Sequence, residues 1–259
     1  MVNEIIEKFT EAAKEKSAFL DRSFIRYFIL SMMSGVYVGF GVVLVYSIGA
    51  PIRQAGLPYL RALMGASFAI ALTLVIFAGS ELFTGNNMTM IIGSLARKVS
   101  WVKTLKISVV SYVGNLAGSL LLALAMAGTG LIMRSPLKEF IVSISADKMT
   151  APFSELFFRG ILCNMLVCLA IWTSTKARED TAKLILIFWC LFGFIGAGFE
   201  HSVANMSLLG MSLLIPHGNQ AVSWAGFIYN LIPVTLGNII GGGIFIGAAY
   251  WFVYGDRHN

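Results

Sequence analysis

The chain has 259 residues, of which 57% are hydrophobic and only 12% charged, and a formal net charge of +6. A soluble domain carries about 25% charged residues, so the deficit excludes a soluble enzyme or binding module and identifies a polytopic helical membrane protein. The positive balance then belongs to membrane topology and implies no nucleic acid, while the 26 glycines suit close helix packing in a bilayer.

Residues 3–20 place Ile5, Ile6, Phe9, Ala12, Ala13, Phe19 and Leu20 along one helical face, with Glu and Lys around the rest. This predicts an amphipathic helix over residues 1–22, lying on the membrane or against a neighbouring subunit, with Lys14 and Lys16 on its solvated face. Its charged periodicity is not that of a cleavable signal peptide.

The first span is expected from about Tyr27 to Ile48, ended by Pro51. About 20 apolar residues suffice to cross a bilayer. A second apolar run starts near Ala62, is interrupted at Gly79-Ser80-Glu81-Leu82-Phe83-Thr84-Gly85-Asn86, and resumes through Met88 to Leu95. It reads as a broken helix with a long half, a loop and a short half. The third span covers about Ile107 to Met133, and Arg134 to Phe153 reads as a loop containing Pro136 and Pro152. The fourth runs from Leu156 to Trp172. The fifth breaks at Gly198-Phe199-Glu200-His201-Ser202-Val203-Ala204-Asn205. The sixth covers Phe227 to Tyr254, leaving residues 255–259 as a polar tail.

Six spans put both termini on one side. The loops and arms on that side carry thirteen Lys and Arg against five on the other. The positive-inside rule therefore places both termini in the cytoplasm, in an inner or plasma membrane. The two interruptions share the frame Gly-x-Glu-x-x-x-small-Asn at an offset of 119, and Ser100-Trp101 and Gly114-Asn115-x-x-Gly118 recur at an offset of 123 as Ser223-Trp224 and Gly237-Asn238-x-x-Gly241. The halves, about 23–133 and 155–254, are copies with three spans each, so they insert in opposite orientations as an inverted repeat. The fold class is all-α, with six transmembrane helices of which the second and fifth are broken.

Two polar interruptions at matching places point to a site at the repeat interface. Thr84 offers a hydroxyl and His201 an imidazole, and each break starts a short half-helix whose N-terminal end is electropositive. That suits a small anion. Glu81 and Glu200 are expected to cap free N–H groups of the half-helices. Arg159 is expected to pair with Glu155 one turn earlier. His217 and His258 receive no role. Cys163, Cys168 and Cys190 read as buried core, without metal-ligand spacing, and no catalytic residue or cofactor is expected.

Glu81-Leu82-Phe83-Thr84-Gly85-Asn86, Arg159-Gly160-Ile161-Leu162-Cys163-Asn164, Glu200-His201-Ser202-Val203-Ala204-Asn205-Met206 and Asn230-Leu231-Ile232-Pro233-Val234-Thr235-Leu236-Gly237-Asn238 resemble the signatures of the formate/nitrite transporter family, and within it most resemble the hydrosulfide channel branch. The resemblance implies an aquaporin-like inverted repeat, a homopentamer in membrane lipid, one pore per subunit, and passage of formate, nitrite or hydrosulfide. It also implies a pore centre of Thr84, His201 and Lys148. Apolar constrictions of Leu82, Phe83, Phe68, Leu72, Val167 and Phe194 would lie on either side, and Asn164 and Asn230 would add polar lining. Without the resemblance, Lys148 reads as a loop charge. Three competing readings are a pore for neutral solutes, a membrane enzyme using Glu200 and His201, and a proton-coupled transporter with Glu81 or Glu200 as coupler. Paired Asn-Pro-Ala motifs are absent, which speaks against the first, and no nucleophile or cofactor motif supports the second.

Overall fold

A computed structural model describes residues 3–255. Met1, Val2 and residues 256–259, which include most of the expected tail and His258, lie outside the described residues. Every described regular element is helical. Among the described residues, six helices are long and apolar enough to cross a membrane: Phe24–Gln54, Leu60–Phe77, Trp101–Gly128, Phe153–Lys176, Asp180–Ala197 and Trp224–Tyr254.

The first repeat comprises α2 (Phe24–Gln54), the adjoining α3 (Leu60–Ser67) and α4 (Ala69–Phe77), the short α5 (Phe83–Leu95) and α6 (Trp101–Gly128). The second comprises α8 (Phe153–Lys176), α9 (Asp180–Ala197), the short α10 (Ser202–Leu214) and a last span. That span is α11 (Trp224–Ile239), a π-helical stretch Ile240–Ala248 and α12 (Ala249–Tyr254). Both expected breaks are present, at residues 78–82 and 198–201. The short halves cross over: α10 packs on α6 and α2, and α5 packs on the π-helical stretch. Each copy therefore plugs into the other, and neither half buries its short helix alone.

The duplicated glycines make this packing possible. A methyl added at Gly118 would overlap the carbonyl oxygen of Met32, and one at Gly241 the carbonyl oxygen of Ile161. In both repeats the third helix meets the first backbone to backbone, which only small residues permit. Gly118→Ala is expected to destabilise the protein by about 3 kcal/mol, the upper end for overpacking, because a backbone atom cannot swing aside as a side chain can. Thermal unfolding in detergent measures this.

Three expectations need correction. Pro51 does not end the first span, because α2 continues to Gln54 with the proline inside its last turns. A proline costs the helix one N–H donor but already holds a helical φ, so a few more residues can follow it. The stretch Arg134 to Phe153 is not an irregular loop, since α7 (Leu137–Thr150) fills most of it. Pro136 sits just before its first turn, and Phe140, Ile141, Ser145 and Met149 form its buried face. The third correction concerns α1 (Asn3–Arg22), whose apolar face is buried against its own chain. Ile5, Ile6 and Phe9 pack on Met88, Ile92 and Trp172, with Phe9 and Trp172 stacked at 5.3 Å, and Ala13 and Leu20 pack on Met90 and Tyr27.

Candidate functional site

The two breaks meet. The Thr84 Oγ1 and His201 Nε2 atoms lie 3.0 Å apart although 117 residues separate them, and both residues are buried. Thr84 stands in the first turn of α5, and His201 is the residue before α10. The Ala204 N–H donates to His201 Nδ1 at 3.1 Å. In the neutral ring this bond assigns the proton to Nε2, which donates to the Thr84 oxygen. The Thr84 hydroxyl proton is then free for a third partner. Behind this pair, α5 and α10 both present their positive N-terminal ends.

Equivalent asparagines hold both breaks. Asn115 Oδ1 accepts from the Phe83 N–H at 2.9 Å, and Asn238 Oδ1 accepts from the Ser202 N–H at 2.9 Å. Their amide nitrogens donate to the Glu81 carbonyl at 2.9 Å and the Glu200 carbonyl at 3.0 Å. Each asparagine thus satisfies a donor and an acceptor that the broken helix leaves bare. These residues were visible as a repeat at offset 123, but no role attached to them until the loops were placed beside them. Asn238→Leu is expected to cost about 1–3 kcal/mol for each buried group it orphans. Thermal unfolding, alongside the matched Asn115→Leu, checks it.

Glu81 and Glu200 therefore do not cap the half-helices, as the sequence suggested, because the asparagines and His201 take the N–H groups. Their carboxylates instead receive lysines. Lys148 Nζ donates to the Glu200 oxygens at 2.6 and 2.7 Å, and Lys16 Nζ to the Glu81 oxygens at 2.7 and 2.8 Å. Asn205 adds an amide donor to Glu200 at 2.7 Å, while Asn86 and the Tyr27 hydroxyl add donors to Glu81 at 3.2 and 2.8 Å. Lys16 is not on a solvated face. It shares the helical face of Phe9, Ala13 and Leu20, which is the buried one. Lys148 reaches Glu200 rather than the imidazole, so a carboxylate stands against its charge. Arg159 pairs with Glu155, as the spacing suggested.

Five of the six residues expected at the constrictions, Phe68, Leu72, Leu82, Val167 and Phe194, line one small cavity together with His201. Its volume is about 10 Å³, about the room for one water. Phe68 and Phe194 meet edge to face at 5.6 Å, and the Phe194 ring lies 6.0 Å from that of His201. The sixth residue, Phe83, turns instead onto Tyr112, at 4.9 Å. Above the phenylalanines opens a vestibule of about 320 Å³, on the face away from the termini, which includes Lys148, Glu200 and His201. A cavity of about 710 Å³ opens on the opposite face between α1 and Glu81. Asn164 and Asn230 act as braces. Asn164 donates to the Thr84 carbonyl at 3.1 Å and the Asn238 carbonyl at 2.6 Å, and Asn230 accepts from Asn205 at 2.8 Å and donates to the Lys148 carbonyl at 2.9 Å.

Residues 3–252 match the family described as formate/nitrite transporter. The nitrite transporter NirC of Salmonella typhimurium is 43% identical over 226 residues, covering 87% of this chain and 82% of that protein. Among solved structures, an FNT family ion channel is 40% identical with a TM-score of 0.91, covering 96% of this chain and 98% of that one. A pentameric formate channel with formate bound is 32% identical with a TM-score of 0.78, covering 89% and 97%. With matches of this length, a six-helix architecture and two breaks that meet, the chain belongs to the formate/nitrite transporter family and is an integral membrane transport protein, not an enzyme.

Proposed function

We propose that each subunit carries small monovalent anions, nitrite, formate and hydrosulfide among them, through a pathway centred on Thr84 and His201. The observation that carries this reading is the 3.0 Å contact between those side chains at the edge of an apolar cavity. The hydroxyl proton of Thr84 offers a donor to an anion there, and two helix N-termini favour negative charge at the same depth. Lys148 acts indirectly, by neutralising Glu200 and fixing the second break. The relatives named for nitrite and formate support the substrate class, and the pentameric formate channel supports a homopentamer. The excess of Lys and Arg on the terminal side supports cytoplasmic termini.

The size of the cavity constrains the mechanism. A volume of about 10 Å³ does not admit a hydrated anion, so the ion sheds its water or the phenylalanines part. A bare ion in an apolar passage pays heavily for lost hydration. The apolar lining therefore favours a second route, in which a weak-acid anion takes a proton, crosses as the neutral acid and releases the proton beyond.

Proteoliposomes separate these readings. Nitrite, formate and hydrosulfide are expected to enter, and sulfate is not. Electrogenic entry identifies passage of the bare anion, whereas electroneutral entry that alkalinises the donor side identifies the proton-coupled route. Water permeation with no movement of any of the three anions would establish a neutral-solute pore instead.

A further inference from the structure

Two phenols stand near the two ends of α2. Tyr27 and Tyr46 are separated by about 28 Å along the helix, at about 1.5 Å per residue, so they flank opposite mouths. The Tyr27 hydroxyl is committed, donating to Glu81 at 2.8 Å. Tyr46 has no such acceptor. It is 8% exposed, its ring packs on Phe140 at 5.2 Å, and its hydroxyl makes no hydrogen bond among the described residues. Glu200, the acid of that half, is already held by Lys148 and Asn205. A buried tyrosine usually finds a partner for its O–H. Tyr46 instead borders the vestibule that also contains His201. The repeat gives the other mouth no equivalent. Leu30 accepts from the Glu81 N–H at 3.3 Å and Arg159 from the Glu200 N–H at 3.2 Å, so α8 repeats α2 at an offset of 129. At that offset Tyr46 corresponds to Thr175, whose hydroxyl donates to the Ile171 carbonyl of its own helix at 2.8 Å.

We propose that Tyr46 is a specificity-determining residue: its phenol O–H donates to an oxygen anion in the vestibule and so favours nitrite and formate over hydrosulfide. The proposal rests on the anion pathway described above and adds an uncharged donor to it. An O–H donor and an anionic oxygen form a short bond of about 2.5–2.7 Å, roughly twice as strong as one between neutral groups. Nitrite and formate each present two oxygens, so one can accept from Tyr46 while the other keeps its water. Hydrosulfide presents a single sulfur, which is a weak acceptor. Phe68 and Phe194 also border the vestibule and close the passage beneath it. An oxygen anion therefore meets the phenol before it enters the apolar cavity, and the bond replaces part of the hydration lost there. At the other mouth the hydroxyls of Tyr27 and Thr175 are both engaged, so the discrimination belongs to the face away from the termini.

Tyr46→Phe tests this directly, because it keeps the ring and its packing on Phe140 and removes only the oxygen. The full-length protein is placed in oriented proteoliposomes, with protein-free vesicles as background, and each anion is applied to each face in turn. From the face away from the termini, the half-saturating concentrations of nitrite and formate are expected to rise about threefold to tenfold, less than at a sealed site because vestibule water competes for the bond. Hydrosulfide on that face, and nitrite and formate on the other, should keep their wild-type values. Unchanged values for both oxygen anions overturn the proposal. So does an equal rise for all three anions or on both faces, which marks Tyr46 as a packing residue that shapes the passage. A wild-type protein that carries hydrosulfide but neither oxygen anion also overturns it. A wild-type protein that carries none of the three overturns the transport reading first, and this inference with it.

Discussion

Thr84→Val is expected to lower anion flux on the order of 10- to 100-fold while the oligomer stays assembled. Valine matches threonine in shape, so the fully buried site keeps its packing and α5 keeps its first turn. What disappears is the hydroxyl that accepts from His201 and donates into the passage. A hydrogen bond to a charged partner contributes about 1.5–3 kcal/mol, and at about 1.4 kcal/mol per decade this gives the stated range. His201→Asn is expected to act in the same direction, since the shorter amide no longer spans the 3.0 Å contact from its own break. Flux is measured in proteoliposomes after size-exclusion chromatography has shown an intact assembly. If both variants conduct like the wild type, the centre lies elsewhere.

Lys148→Met is expected to destabilise the fold by about 3–5 kcal/mol, because it strands a buried carboxylate. The Glu200 side chain is only 4% exposed, and without Lys148 its one remaining side-chain donor is Asn205. The double variant Lys148→Met with Glu200→Gln should regain most of that loss. A neutral amide can still accept from Asn205, and the well-packed thioether replaces the ammonium stem. Lys16→Met is expected to cost less, because Glu81 keeps both the Tyr27 hydroxyl and the Asn86 amide. Thermal unfolding of detergent-solubilised protein ranks the three. Equal melting of Lys148→Met and wild type would show that the pair contributes nothing to stability.

Much of this arrangement was legible in the residues. The two breaks stood out because Glu, His and Asn interrupt long apolar runs, and the offsets of 119 and 123 exposed the duplication. What escaped depends on partners far away in the chain. Asn115 and Asn238 lie mid-helix, and nothing local says that they reach across to a broken neighbour. Glu81 and Glu200 suggested caps because they precede helices, and only the fold shows that lysines from α1 and α7 arrive first. Two misses were avoidable. Lys16 falls on the period of Phe9, Ala13 and Leu20, and the spacing of Phe140, Ile141, Ser145 and Met149 is helical. In one case a charge drew attention to solvent, and in the other two prolines drew it to a loop. Phe83 differs in kind. Its neighbours decide whether it faces the passage or Tyr112, and sequence position carries no information on that choice.

The mirrored ion pairs also have an order in time. Lys16 precedes Glu81 along the chain, and Lys148 precedes Glu200. Because synthesis proceeds from the N-terminus and early segments settle first, each acid emerges from the ribosome after its base has already been made. Neither carboxylate has to wait in the bilayer for a counter-ion still to be translated. In the first half that base sits on α1, outside the repeated three-span unit, so the partner of a buried acid in the duplicated core is supplied by a helix that the duplication itself does not contain.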